Sequence, residues 1–228
     1  NPFEYQNELY SELLGRKVEI YKPLKHETVV SKAKKRVYKM EIPDGNYVAY
    51  GNIPWNSLFN AKLNVNGVYR TQYARWLSPS VFNIPVNEDR DYYKIVLASK
   101  KKIDLDDGAE QFYVLDLDLL KSIAEELEKN TPDVMDIENG SAEFVVNARV
   151  GQSLFTSIPY CDGWTVKVNG QEVQPDAVGD SLYSISLAEG ENVIEMKFHV
   201  KYAGTGVACS IIGIAMLVFA EFYRKRRK

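Results

Sequence analysis

Short stretches in which apolar and polar residues alternate run through most of this chain and predict β-strands. A period of two places one face of a strand in a core and the other face in water. Because turns separate these stretches, the pattern favours antiparallel sandwiches. The predicted strands are 18–21, 36–42, 46–53, 61–65, 81–86, 92–98, 111–115, 142–148, 153–158, 164–168, 171–173, 182–187 and 192–200.

A corner followed by a hairpin occurs twice. An Ile-Pro-aromatic tripeptide at 53–55 precedes an Asn-Gly pair at 66–67, and a second tripeptide at 158–160 precedes the pair at 169–170. Proline cannot donate to a strand ladder, and Asn-Gly supplies the positive φ angles of a tight hairpin turn. Since both patterns recur in the same order, we infer an internal duplication of a β unit.

Other stretches predict helices. Asn1 and Pro2 suit a helix start that Gly15 ends, and residues 118–129 carry apolar side chains at helical spacing. The predicted fold is mainly β, with two duplicated, jelly-roll-like antiparallel β-sandwich units, a connecting helix and a C-terminal transmembrane helix. The predicted divisions are 1–16 for an N-terminal helix, 17–116 for the first unit, 117–140 for a linker helix and loop, 141–201 for the second unit, 202–223 for the transmembrane helix and 224–228 for a basic cytoplasmic tail.

The run 203–220 has no charged residue and is followed by the five cations of 224–228. An apolar helix of this length is just long enough to cross a bilayer, and a buried core helix is disfavoured because the run has no polar face. Cations stay on the cytoplasmic side, so we expect residues 1–201 outside the cytoplasm. The expected membrane residues are Tyr202, Gly206, Ser210, Gly213, Arg224, Arg226 and Arg227.

The small residues of this helix have a spacing that allows close packing on another helix. We therefore expect membrane lipid as a partner, together with further transmembrane helices of the same, longer protein. The chain begins with Asn and carries no signal peptide, so we interpret it as the C-terminal part of that protein.

Charge and composition disfavour several functions. The net charge is −3, and residues 1–202 alone carry −7, so no basic groove for nucleic acid is expected. The two histidines and two cysteines lack the spacing of a zinc site. The segment 104–108 resembles a calcium loop but lacks the later ligands, which favours a polar turn. We expect no cofactor and assign no catalytic residue.

The two corners supply the candidate binding residues Trp55, Tyr160, Asp162 and Trp164. A flat ring can pack on the C–H face of a sugar while a carboxylate accepts hydrogen bonds from its hydroxyls. The alternative is that these rings fill the cores. For Trp164 the core is favoured, because it alternates in phase with Val166 and Val168.

Several of these segments resemble the YfhO family of bacterial membrane proteins. The resemblance lies in residues 1–7, the corner at 157–164, the Val-Asn-Gly turn at 168–170, Gly190, and the Gly-rich terminal helix with its basic tail. It implies a multi-pass, GT-C-like membrane glycosyltransferase that decorates cell-surface polymers such as lipoteichoic acid, using a polyprenyl-phosphate-linked sugar. It also implies that the catalytic carboxylates lie in loops between N-terminal membrane helices, which these residues do not include.

Three roles fit this sequence. The chain could position or recognise the acceptor glycopolymer for such an enzyme, or it could be a non-catalytic module that binds carbohydrate or another surface protein. It could also be a structural platform for the membrane helices. All three predict the same fold, so the surroundings of the aromatic corners must distinguish them.

Overall fold

The chain folds as two compact units that divide between Asn130 and Thr131. The structure, a computed structural model, describes residues 1–76, 80–86, 92–106 and 108–227. Asp107, in a predicted turn, and Lys228, in the predicted basic tail, lie outside the described residues. Each unit contains antiparallel sheets around its own apolar core, which confirms the mainly β, sandwich-like class.

The first unit is a sandwich of two sheets with helices on one side. Its sheets have the strand orders β2-β3-β8-β5-β6 and β1-β9-β4-β7, and side chains from both sheets form one core. The elements are α1 Pro2–Leu14, β1 Tyr21–Pro23, β2 His26–Lys32, β3 Lys35–Met40, β4 Tyr47–Asn52, β5 Ala61–Val65, β6 Val68–Tyr73, β7 Val81–Ile84, β8 Tyr93–Ala98, β9 Gln111–Asp116 and α2 Leu117–Glu128.

Helix α1 begins and ends where its capping residues predict. The Asn1 side chain accepts a hydrogen bond from the Phe3 N–H at 3.1 Å, and Gly15 adopts a left-handed conformation at the other end. Phe3 is 3% exposed and stacks on the Tyr113 ring with centroids 4.7 Å apart. These contacts join α1 to strand β9 of the four-stranded sheet.

Helix α2, which we expected to be a linker, packs within the first unit. Ile123 is 1% exposed and belongs to a small apolar cluster with Val18, Ile20 and Leu115. Only a helix with an apolar stripe can close such a cluster, and the spacing of apolar residues in 118–129 provides one. The connection to the second unit is therefore the short segment that follows α2.

Asp116 connects helix α2 to strand β1 by two hydrogen bonds. Its carboxylate accepts one from the Leu119 N–H at 2.9 Å, as an N-cap, and one from the Lys22 Nζ at 2.8 Å. The Lys22 hydrogen bond, followed by the Leu119 N–H, lowers the pKa of Asp116 below its ordinary value of 3.8. A lowered folded pKa means that the unfolded chain takes up the proton more readily.

We expect the Asp116 contribution to be fully present well above pH 3.8 and to be lost as the pH falls through the lower folded pKa. Asp116→Asn keeps a capping oxygen but loses the ion pair, so it should cost about 1 kcal/mol or less near neutral pH and flatten this acidic decline. Chemical denaturation of both proteins between neutral and acidic pH measures this. Equal acidic slopes would contradict the assignment.

The second unit is also built from two sheets, and it continues into an apolar helix. Its sheets have the orders β10-β11-β17-β13-β14 and β12-β16-β15. The elements are β10 Val134–Glu138, β11 Ser141–Ala148, β12 Ser153–Pro159, β13 Trp164–Val168, β14 Gln171–Val173, β15 Asp176–Val178, β16 Leu182–Ser186, β17 Gly190–Phe198 and α3 Ala203–Arg226.

The two five-stranded sheets share one topology, including the two repeated hairpins. Asn66 and Asn169 both have φ of 52° and precede a glycine with positive φ. Each asparagine makes the same pair of 2.8 Å hydrogen bonds with the neighbouring strand. The Asn66 N–H donates to the Lys94 carbonyl and its Oδ1 accepts from the Lys94 N–H, and Asn169 does the same with Val193. The asparagines thus fix the register of the hairpin against the next strand.

Candidate functional site

The first corner is held by a buried tyrosine. Ile53 is 1% exposed, and its N–H donates to the Tyr73 hydroxyl at 2.9 Å. That hydroxyl also lies within hydrogen-bond distance of the carbonyl oxygens of Ile53 and Ser80. Burial raises the pKa of Tyr73 to about 12, which the bond to Ile53 partly offsets. Tyr73 therefore stays a neutral phenol that fixes the backbone at the end of β4.

Trp55 packs on this tyrosine at the border of the core. Its ring meets the Tyr73 ring edge to face, with centroids 5.2 Å apart and planes at 76°. Trp55 is half-buried, so part of the indole remains open to solvent. The supported ring has a fixed orientation, which lowers the conformational entropy lost when a ligand packs on it.

The two residues that follow Trp55 are hydrogen-bonded to an acidic segment. Asn56 Nδ2 donates to Asp106 Oδ1 at 2.9 Å, and Ser57 Oγ donates to Asp104 Oδ2 at 2.6 Å. The backbone N–H of Asn56 also donates to the Asp104 carbonyl at 3.2 Å. The polar segment at 104–108 is thus bonded directly to the first corner. Sequence reasoning missed this contact because about 50 positions separate the two segments, and only the sheet topology brings them together.

This acidic segment is not arranged as a metal centre. In the part of the chain that the structure describes, no group of three or more His, Cys, Asp and Glu side chains could hold a metal ion. The described carboxylates beside Trp55 instead accept hydrogen bonds from neighbouring side chains. Their remaining oxygen lone pairs can accept from hydroxyl groups of a ligand.

The second corner has a similar arrangement around Tyr160. Its ring packs on the ring of Tyr183 with centroids 4.8 Å apart, and Tyr160 is 38% exposed. Tyr183 is buried, and its hydroxyl donates to the Cys161 carbonyl at 2.9 Å. Gln174 Nε2 donates to the Tyr160 hydroxyl at 3.3 Å. Each corner therefore has an aromatic ring resting on a buried tyrosine that bonds the corner backbone.

The other two predicted residues of this corner have different surroundings. Asp162 is largely exposed and lies 3.6 Å from the Lys201 Nζ. Trp164 is half-buried against the second core and contacts the Phe198 ring at a centroid distance of 5.3 Å. Tyr160 packs on Tyr183, whereas Trp164 packs on Phe198. The two predicted aromatic residues of this corner therefore belong to two separate aromatic pairs.

The predicted membrane residues lie in or next to α3. Tyr202 is its N-cap, with a φ of 65°, and Arg224 and Arg226 lie in its last turn, which Arg227 follows. Gly206, Ser210 and Gly213 lie within the helix, where the Ser210 hydroxyl donates to the Gly206 carbonyl at 2.9 Å.

Helix α3 meets the length and composition expected of a membrane span. Its best 18-residue window has a mean hydropathy of 2.1, and none of that window is buried within the protein. The helix ends in basic residues, with Arg224, Lys225 and Arg226 in its last turn. An apolar helix that is not buried by the described residues of this chain is expected to be covered by lipid or by other helices.

Sequence reasoning did not single out Trp76, which is 79% exposed. It lies just after β6, and the pattern around it is too irregular to place its side chain. A fully exposed tryptophan in the same unit as Trp55 provides a matched comparison for any binding assigned to the first corner.

Comparisons with known proteins place this chain in a family but give little on individual relatives. No curated protein matches it. Among solved structures, a β-D-glucuronidase from Dictyoglomus thermophilum has a TM-score of 0.28 at 10% identity, and a GH2 β-galacturonidase from Eisenbergiella tayi has 0.25 at 10%. The matches cover 82% of this chain, which spans 43% and 39% of those two proteins.

A conserved protein of unknown function from Pseudomonas aeruginosa PAO1 also matches, with a TM-score of 0.21 and 10% identity over 76% of this chain and 80% of that protein. The decisive comparison is with a family. Residues 1–210, which include both sandwiches and the first part of α3, match the family described as bacterial membrane protein YfhO. The protein therefore belongs to the YfhO family of bacterial membrane proteins.

Proposed function

We propose that this chain is the extracytoplasmic β region and last membrane helix of a multi-pass, GT-C-like glycosyltransferase. In this proposal the enzyme glycosylates cell-surface polymers such as lipoteichoic acid from a polyprenyl-phosphate-linked sugar, and the present region positions or recognises the acceptor. Membership of a membrane family and the apolar helix α3 support the membrane placement. The enzymatic part rests on the family resemblance of the sequence.

The observation that carries acceptor recognition is the first corner. The half-open Trp55 ring rests on Tyr73, and the next residue, Asn56, is hydrogen-bonded to Asp104 and Asp106. An immobilised ring beside carboxylates and an amide matches the two surfaces of a sugar ring, since its C–H face is apolar and its edge carries hydroxyls. A core-filling tryptophan would have no need of such polar neighbours.

The charge of the terminal segment supports the orientation. Arg224, Lys225 and Arg226 form the last turn of α3 and favour the cytoplasmic side. The second corner would then lie near the extracytoplasmic face of the membrane that α3 crosses, because Asp162 pairs with Lys201, one residue before the helix cap Tyr202. An acceptor that is itself anchored in the membrane would be within reach of this corner.

A binding titration tests the role of the first corner. The full chain in lipid nanodiscs is titrated with lipoteichoic acid, and Trp55→Ala is compared with the exposed control Trp76→Ala. Loss of ring stacking worth about 1–2 kcal/mol should weaken binding roughly tenfold in Trp55→Ala, while Trp76→Ala stays close to the unsubstituted chain. Thermal unfolding of each variant shows whether it is folded.

Asp104→Asn provides a second variant that keeps a hydrogen-bond acceptor for Ser57 and removes the charge. It should weaken binding without unfolding the first unit. Absence of saturable binding in the unsubstituted chain, or equal losses in the two tryptophan variants, would contradict recognition at this corner.

A non-catalytic binding module of a membrane-anchored surface protein is the second candidate. The open edge strand β10 favours it, because every residue from Val134 to Glu138 is exposed. Deleting the gene in the producing bacterium distinguishes the two. Loss of sugar from the surface polymer, restored by the intact gene, supports the transferase, whereas an unchanged polymer favours the binding module.

A further inference from the structure

The five-stranded sheets of the two units correspond, but the smaller sheets, β1-β9-β4-β7 and β12-β16-β15, differ. In the first unit β4 has a neighbour on each side, β7 on one and β9 on the other. In the second unit β12 occupies the position of β4, since each follows the second strand of the five-stranded sheet and ends in an Ile-Pro corner. Among the described residues β12 pairs only with β16, so its other edge has no strand.

Strand β9 covers the edge of the five-stranded sheet in the first unit. The Phe112 ring packs on Tyr38 of β3 at a centroid distance of 5.4 Å and on His26 of β2 at 4.9 Å. Just before β9, the Glu110 carboxylate accepts a hydrogen bond from the Thr28 hydroxyl at 3.1 Å. Phe112 and Glu110 therefore contact His26 and Thr28 at the start of β2, although most residues of this edge strand remain exposed.

The strand register identifies the equivalent positions in the second unit. Tyr38 is paired with Ile95 in β8, next to the Lys94 that bonds Asn66. Phe144 is likewise paired with Ile194 in β17, next to the Val193 that bonds Asn169. Met135 is paired with Phe144 as Thr28 is paired with Tyr38. Directly opposed residues of antiparallel strands point to the same face, so Met135 faces the core side of the sheet.

The core-facing side chains of β10 are apolar and open to solvent. Met135 is 63% exposed, and Ile137, two positions further on the same face, is 60% exposed. Their neighbours on β11, Phe144 and Ala142, are buried at 4% each. Met135 and Ile137 thus form an exposed apolar surface on β10, which we call the β10 ledge. Among the described residues the second edge of β12 is also unpaired, whereas the equivalent edge of β4 in the first unit is paired with β9.

We propose that the second unit receives this missing strand from an extracytoplasmic loop of membrane helices that pack beside α3. The strand adds to the free edge of β12 by backbone hydrogen bonds and covers Met135 and Ile137 with its inward side chains. In β9 the inward side chains Phe112 and Val114 stand at alternate positions and are 2% and 1% exposed. The inward side chains of the added strand are expected to be large, apolar and at alternate positions in the same way.

A second copy of this chain is a poor occupant. Two copies that pair through β12 would join their smaller sheets directly, and the strand offered to each copy would be one that already pairs with its own β16. The gap requires one extended segment that is not already part of another sandwich.

A loop of neighbouring membrane helices is favoured by proximity. Strand β17 ends at Phe198 and α3 begins at Ala203, so the second unit stays within a few residues of the membrane surface. A loop tethered to the same membrane has a high effective concentration at this site. The small residues of α3 permit the helices that carry such a loop to approach closely. The proposal rests on the membrane placement given above, and glycosyl transfer is not required for it.

A peptide with the sequence of residues 110–116, which contains β9, is the direct probe. Labelled peptide is titrated against the full chain in lipid nanodiscs, and a control peptide carries Ser in place of its Phe and Val. We expect saturable binding of the first peptide only. A charge on the ledge has to be buried by the peptide, so Ile137→Asp should weaken binding roughly tenfold or more.

Val134→Asp is the matched control, because Val134 lies on the same strand, is 51% exposed and points to the opposite face. It should leave peptide binding unchanged. Hydrogen exchange should show that the peptide slows amide exchange in β12. Absence of binding, or equal effects of the two aspartate variants, would overturn the proposal of an open strand position.

The source of the strand is tested in the living bacterium. A photoreactive phenylalanine at position 137 of the membrane protein is cross-linked, and the attached peptide is identified by mass spectrometry. We expect an alternately apolar segment from an extracytoplasmic loop of a membrane protein. A cross-link to a second copy of residues 1–228, to a soluble protein, or to lipid alone would overturn this source.

Failure of these tests would not resemble failure of the proposed function. The peptide and cross-linking experiments report on β10 and β12, whereas the lipoteichoic acid titration reports on Trp55 in the other unit. If the peptide does not bind while Trp55→Ala still weakens lipoteichoic acid binding, only the open strand position is disproved. If the peptide binds while Trp55→Ala has no effect, only the recognition at the first corner is disproved.

Discussion

Replacing Phe112 by alanine should lower the free energy of unfolding of the first unit by about 3–5 kcal/mol. Phe112 is 2% exposed and its ring contacts the rings of His26, Tyr38 and Phe82. Removing it leaves a cavity between the two sheets that these rings cannot fill without leaving their rotamers. Urea denaturation followed by hydrogen exchange of β3 and β9 measures the loss.

Phe112→Leu is the matched control, because it keeps most of the apolar volume and should cost less than about 2 kcal/mol. The second unit has its own core, so hydrogen exchange of β13 and β17 should report its unfolding independently. If Phe112→Ala accelerated exchange in β13 and β17 as strongly as in β3, the two units would not be separate cooperative cores.

Gly163→Ala is expected to destabilise the second unit by about 2–5 kcal/mol, through backbone strain and steric overlap together. Gly163 has a φ of 111°, and an added Cβ would lie 2.8 Å from the His199 carbonyl oxygen and 2.7 Å from a Phe198 ring carbon. The ring can turn, but the carbonyl belongs to the backbone next to β17. The His199 N–H also donates to the Gly163 carbonyl at 2.7 Å, so the two segments cannot separate without losing that bond.

Gly190→Ala separates the two causes, because Gly190 has a similar φ of 95° and no atom within 4 Å of an added Cβ. It carries the strain alone and should cost about 1–3 kcal/mol. The measurement is urea denaturation followed by hydrogen exchange of β13 and β17, the two strands that the Gly163 contact joins. Equal losses of unfolding free energy in the two variants would show that the contact of the added Cβ with the His199 carbonyl oxygen does not destabilise the unit.

The Gly163 contact also matters for the proposed position of the second corner. It fixes the corner against the end of β17, five residues before α3 begins. A variant that loosens this contact should release Asp162 from Lys201, which lie 3.6 Å apart. The corner would then lose its defined place near the membrane, while the first corner around Trp55 would be unaffected.

The hydrophobic pattern was a good guide to the strands that lie inside the sheets. β5, β8, β13 and β17 were predicted because one face of each is buried and the other meets solvent, which is what a period of two records. The Asn-Gly pairs predicted both hairpins, since their positive φ angles are set by local chemistry. The same local signals, together with capping residues, predicted α1.

The strands that were missed lie at sheet edges. β2, β10 and β15 were not predicted, and β6 was implied only by its hairpin; all four are edge strands. Most residues of such a strand are exposed, as in β10, so burial imposes only a weak pattern on a short stretch of sequence.

The candidate site shows the same division. The sequence predicted that Trp55 and Tyr160 stand at corners, because Ile-Pro ends a strand. It could not predict that Asp104 and Asp106 lie beside Trp55, or that Tyr73 and Tyr183 support the two rings, since each of these contacts joins distant parts of the chain.

By itself the sequence determined the β class, the repeated corner and hairpin, and the apolar helix with its basic end, because periodicity, turn chemistry and run length are local properties. Only the tertiary structure decided that α2 packs within the first unit and that the acidic segment is bonded to the residues after Trp55. It also decided that the described part of the second unit has no counterpart of β9. These features depend on which distant segments meet, and that is fixed by the packing of the whole fold.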